Sequence, residues 1–94
     1  MHFRYELPET LRKKTASFRE FANGGTQVTV QLSDGREFQK ALISNSRWII
    51  AIRGYTDLPF TPTEISDLFQ TSEDEHPSER GGWHYWDAWH GDDA

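Results

Sequence analysis

The chain contains no cysteine. That excludes a disulfide framework, a zinc–thiolate site and a thiolate nucleophile, and it fits a reducing compartment, so a cytoplasmic location is expected. No apolar run approaches the roughly 20 residues a membrane-spanning helix needs, so no membrane partner is expected. The opening MHFRYELPET has no apolar core and does not read as a secretory signal. No Gly-rich phosphate loop is present, and Ser44, Ser46 and Ser66 sit in no nucleophile-elbow motif. Neither catalysis nor a cofactor is expected. Proline is absent from Thr26 to Gly54, which leaves that stretch free to form uninterrupted strands.

Charge is unevenly spread along the 94 residues. Residues 1–72 hold nine Lys/Arg against eight Asp/Glu, close to neutral. Residues 73–94 hold Arg80 against seven carboxylates. The chain therefore reads as one domain over 1–72 followed by an acidic, aromatic-rich tail over 73–94.

The first element expected is a helix from Pro8 to Phe21. Leu11, Thr15, Phe18 and Ala22 recur at helical spacing, Pro8 and Glu9 suit a helix start, and Asn23-Gly24-Gly25 suits its end. Val28, Val30 and Leu32 then alternate with polar residues, as in a half-buried strand. Asp34-Gly35 signals a two-residue hairpin, and a second strand follows over Arg36–Ile43, with Phe38 and Leu42 on one face and Lys40 interrupting it. After an Asn45-Ser46 turn, a third strand over Trp48–Arg53 is apolar on both faces, as a covered strand would be. Thr61-Pro62-Thr63-Glu64 has the pattern of a capped helix start, and Ile65, Leu68 and Phe69 give that helix one apolar face. Thr71–Gly82 reads as a linker.

The residues Val28, Val30, Leu32, Asp34, Gly35, Arg36, Phe38, Leu42 and Ser44, preceded by a helix, resemble the first signature of the Sm and Sm-like proteins, which include bacterial RNA chaperones. The resemblance covers about residues 26–54. It implies an α+β fold: a small Sm-like or SH3-like antiparallel β-barrel with an N-terminal helix and a short helix after the three-stranded meander. It also implies edge-to-edge self-assembly and single-stranded RNA as a ligand. Lys40 stands where the family commonly has glycine, Ser46 where it has Asp, and Ile50 near its base-binding Asn.

Candidate binding residues come from two regions. Trp48, Ile49 and Arg53 on the third strand, with Trp83, Trp86 and Trp89 in the tail, are large or exposed-face groups suited to a protein partner or a second copy of the chain. Arg12, Lys13, Lys14 and Arg19, with Trp48 as a stacking surface, form the alternative, an RNA-binding face. A further alternative is an acidic inhibitor, with the tail imitating nucleic acid in a partner's basic groove. His84, Asp87 and His90 are three apart, but they read as polar residues between aromatics rather than as metal ligands. The balance favours a non-catalytic binding or regulatory module that acts through protein contacts.

Overall fold

The computed structural model describes residues 3–22 and 24–86. In order, these form α1 (Glu9–Thr15), β1 (Gly25–Leu32), β2 (Glu37–Ser44), β3 (Trp48–Ile52), a 3-10 turn (Pro62–Glu64), β4 (Ile65–Phe69) and α2 (Ser72–Glu75). The result is an α+β domain with one antiparallel sheet in the order β3-β2-β1-β4 and two short helices. The sheet does not close on itself.

The first helix stops six residues before the expected Phe21, at Thr15. Local hydroxyls end it. Thr15 Oγ1 donates to the carbonyls of Arg12 and Ser46, each at 3.0 Å, and Ser17 Oγ donates to Lys14 O at 2.8 Å. Such side chains compete with the helical ladder for its last carbonyls. Leu11 and Thr15 still face the core, as the periodicity requires.

The helix expected after Pro62 is a strand. The Thr61 N–H does donate to Glu64 Oε2 at 2.7 Å, so the capping signal is used, but for a single 3-10 turn. The chain then pairs with the free edge of β1, where a ladder offers more hydrogen bonds than a two-turn helix could sustain. The Asp34-Gly35 hairpin also differs from expectation. Gly35 N–H donates to Leu32 O at 2.9 Å and Leu32 N–H to Arg36 O at 2.8 Å. The loop thus has three residues, with Gly35 in the left-handed region at φ 94°. Asn45 and Ser46, with φ 53° and 58°, make a tight two-residue turn.

Each pair of strands carries one bulge, and the bulges set which residues meet. Val28 pairs with Ala41 but Val30 with Phe38, leaving Gln39 and Lys40 opposite Thr29. Ile43 pairs with Ile49 but Leu42 with Ala51, leaving Ile50 extra. Leu32 pairs with Ile65 but Gln31 with Asp67, leaving Ser66 extra. A bulge shifts the alternation by one residue. Phe38 therefore joins Ala41 and Ile43 at the main core with Val28, Val30, Ile49, Ile52 and Leu68, whereas Leu42 joins Ile50, Ala51 and Trp83 in a second cluster. Phe38 and Leu42 do not share a face, contrary to the simple alternation.

Lys40, at the β2 bulge, has φ 57°. This is the position where a residue without Cβ is preferred, because the left-handed region costs other residues about 1 kcal/mol or more. Lys40→Gly is expected to stabilise the chain by about 0.5–1 kcal/mol despite the added freedom of the unfolded backbone, read from the urea midpoint.

Both faces and the outer edge of β3 are covered by this chain itself. Residues Tyr5–Leu7 run alongside it: Ile49 N–H donates to Tyr5 O at 3.0 Å and Leu7 N–H to Arg47 O at 2.8 Å. The C-terminal segment supplies Trp83 to the second cluster and Trp86 to the main core. The stretch expected as a linker contains α2, which lies on β1 and buries Asp74.

Candidate binding cleft

A cleft with a volume of about 190 Å³ opens beside the second cluster. One wall is the chain reversal that leads into β1. Phe21 N–H donates to Gly25 O and Gly25 N–H to Ala22 O, both at 3.0 Å. Gly24, at φ 79°, docks on the β2–β3 turn, where Asn45 N–H donates to Gly24 O at 2.8 Å. At this φ glycine is favoured, and a Cβ on residue 24 would also meet Asn45 Oδ1 at 2.8 Å and push that side chain aside. Leu42 and Ile50 form the floor, and Trp83 and Tyr85 the far wall, with Arg80 beside them.

The far wall is held by Arg53. Its guanidinium lies 3.8 Å from the Trp83 ring centre and donates to the carbonyls of Glu79 at 3.3 Å and Gly81 at 2.9 Å. Below Trp83 the segment is anchored by Trp86, whose backbone N–H donates to Ile50 O at 3.3 Å and whose indole N–H donates to Ile49 O at 3.0 Å. The indole N–H of Trp83 is buried and meets no acceptor among the described residues.

The residues expected to bind a partner have separate fates. Ile49 is fully buried in the main core. Trp48 is half-buried, stacked on Phe3 at 5.0 Å between ring centres, with the Arg47 guanidinium 4.8 Å from its ring. Arg53 and Trp83 lie together at the cleft wall, and Trp86 is buried beneath it. Trp89, like Asp87 and His90, lies outside the described residues.

The cations of the alternative face are mostly occupied. Arg12 pairs with Glu6 at 3.0 Å, Lys13 with Glu9 at 3.9 Å, and Lys14 with Asp67. Arg47 shares Glu6 with Arg12, and Arg4 and Arg36 also have carboxylate partners. Arg19 holds Gln70 through its backbone, and its side chain has no ion pair among the described residues. A phosphate would have to displace carboxylates from most of this surface.

Three of these carboxylates, and Glu73 besides, are held below the usual range. The Lys14 ammonium does this for Asp67, the Leu58 N–H and the Tyr5 hydroxyl for Asp57, the Arg36 N–H for Asp34, and the N–H and hydroxyl of Ser78 for Glu73. A carboxyl group whose pKa is lower folded than unfolded adds stability at neutral pH, and that contribution is lost as pH falls through the folded value. Stability is therefore expected to hold from pH 7 to about pH 4 and to decline below it. Lys14→Met should flatten the Asp67 part of that decline, measured by urea unfolding at each pH.

Among the described residues, no helix is long and apolar enough to cross a membrane. No group of three or more His, Asp or Glu among them could hold a metal ion. Sequence alone did not mark the cleft, because Phe21, Leu42, Ile50 and Trp83 converge only through the bulges and the wrapping of the C-terminal segment. Comparison with known proteins returned no match to any family model, curated protein or solved structure.

Proposed function

We propose that the chain is a non-catalytic binding module of the small-barrel type, which receives a side chain of a protein partner in the cleft between Phe21, Leu42, Ile50 and Trp83. The cleft itself is the observation that carries this reading. It is apolar and aromatic, open to solvent, and too small for a drug-sized ligand or cofactor, whose sites run to about 300 Å³ or more. A pocket of this size suits one buried anchor residue of a protein interface.

The small-barrel assignment is supported by the helix before β1, by the return of β4 to the free edge of β1 after a 3-10 turn, and by the left-handed bulge at Lys40, where the Sm-like resemblance expects glycine. Among the described residues, self-association has one sheet edge available, that of β4, since Tyr5–Leu7 already lie along β3. Even there the Leu68 N–H is taken by the Asp67 carboxylate at 2.9 Å, which blunts the edge for pairing.

The test uses Gly25→Val. Gly25 needs no positive φ, and a Cβ there would lie 3.8 Å from both Leu42 Cδ1 and Phe21 Cε1, so valine projects into the cleft without backbone strain. Peptides selected from a displayed random library against the full chain are expected to share an apolar or aromatic anchor and to lose binding to Gly25→Val. Selected peptides indifferent to that change, or the absence of any, would remove the proposal.

A further inference from the structure

The acid balance of this chain makes the chemistry of its cleft unusual. The chain carries 15 Asp and Glu against 10 Lys and Arg, yet no carboxylate among the described residues lines the cleft. Glu20, next to Phe21 in sequence, is instead bonded to Gly24 N–H at 3.3 Å. Arg4, Arg12, Arg36, Arg47 and Arg53 all have carboxylate partners. Arg80, at the cleft, has none among the described residues, and its one hydrogen bond there is a long one, Nε to Pro77 O at 3.4 Å. The ring of Trp83 is part of the same wall, and its indole N–H is buried without an acceptor among the described residues. Among the described residues, one cation without a carboxylate partner and no carboxylate thus flank an apolar space walled by Phe21, Trp83 and Tyr85.

We infer that the cleft selects an acidic aromatic segment of a protein partner, a Phe, Tyr or Trp directly followed by Asp or Glu. The ring fills the space above Leu42 and Ile50, where aromatic walls favour an edge or offset contact. The carboxylate meets Arg80, whose planar guanidinium can donate two parallel hydrogen bonds to it. Such a segment matches the cleft in charge as well as shape, whereas a basic or purely aliphatic one would leave Arg80 without a partner. The inference rests on the cleft being a protein-binding site.

The experiment follows the indole N–H resonance of Trp83 in the 15N-labelled full chain, assigned with Trp83→Phe. Three probes are titrated: N-acetyl-Phe-Asp-amide, its neutral counterpart N-acetyl-Phe-Asn-amide, and phenylacetate. The expected result is a saturable shift with the acidic peptide, about tenfold weaker binding of the neutral one, and loss of that preference in Arg80→Glu. Arg80 is exposed, so this variant keeps the fold. Equal binding of the two peptides overturns the selectivity while leaving the cleft as a binding site. Phenylacetate binding as tightly as the acidic peptide overturns the protein source. No shift with any probe at millimolar concentration overturns both this inference and the binding cleft.

Discussion

Asp74→Ala is expected to lower the unfolding free energy by about 3 kcal/mol, one of the two largest effects of any single change in this domain. Asp74 lies in the acidic run Glu73-Asp74-Glu75, which by composition would be solvated, yet it is only 2 % exposed. Its carboxylate accepts three hydrogen bonds: from Gln27 Nε2 at 2.8 Å, from Thr29 Oγ1 at 2.9 Å and from Thr71 N–H at 3.0 Å. The Asp74 N–H returns one to Thr71 Oγ1 at 3.2 Å. Gln27 and Thr29 alternate with Val28 along β1 and are both buried. This polar side of the central strand therefore depends on one carboxylate for acceptors.

Alanine at 74 leaves the Gln27 amide and the Thr29 hydroxyl buried without that partner, at about 1–3 kcal/mol for each group left unsatisfied. Undocking of the four-residue α2 admits water and limits the total. The check is urea unfolding of Asp74→Ala beside Glu75→Ala, whose exposed side chain should matter by less than about 0.5 kcal/mol. Asp74→Asn should fall between them, because its amide keeps one acceptor oxygen but turns a donor towards Gln27 or Thr29. A double-mutant cycle with Thr29→Val should show coupling, since the two groups share a bond. A loss below about 1 kcal/mol for Asp74→Ala would mean that α2 does not seal this face.

The same residues show why some of the structure was legible and some was not. The meander from β1 to β3 follows from alternation and two turn signals; β2 and β3 lie within one residue of their expected bounds, whereas β1 starts at Gly25, three residues before the alternation that begins at Val28. The β4 segment reads as a helix because a bulge imitates helical spacing. With Ser66 as the extra residue, Ile65 and Leu68 are buried three positions apart, which is helical spacing. The bulge at Ile50 places Ile49 and Ile52 in one core, again three apart. Alternation fails wherever the sheet bends, and Lys40 marked one such bend by interrupting the apolar face and by standing where the Sm-like resemblance expects glycine. Pairing of Tyr5–Leu7 with β3 carried no local signal, since it rests on contacts 40 to 44 residues apart in sequence. The acidic run hid Asp74 for the same reason. Its partners are on β1, 45 and 47 residues away.

The C-terminal aromatics yield the other large effect. Four big rings in seven residues had two outcomes open to them, a partner or their own domain. Among the described residues, Trp83 and Trp86 are both more than nine-tenths buried against their own sheet, but not equivalently. Trp86 belongs to the main core, meets the Tyr5 ring edge-on at 6.1 Å and ties the β3 edge through Ile49 O. Trp83 lies in the smaller cluster beneath Arg53, and its buried N–H meets no acceptor among the described residues.

Trp86→Ala is therefore expected to cost about 4 kcal/mol, from lost burial, the cavity left behind and an orphaned carbonyl on β3. That is a large part of the roughly 5–15 kcal/mol that holds a domain together, and in a chain this short it should leave a sizeable unfolded fraction at 37 °C. Trp86→Phe keeps most of the ring and forfeits the bond to Ile49 O, at about 1 kcal/mol. Trp83→Ala should cost less than Trp86→Ala, about 2–3 kcal/mol, because part of its surface faces the open cleft. The order of the three, read by thermal unfolding with near-ultraviolet circular dichroism, carries the meaning. If Trp83→Ala proved the more damaging, the wall of the cleft would be core rather than receptor. If Trp86→Ala cost less than about 1 kcal/mol, β3 would not depend on the C-terminal segment to cover its inner side.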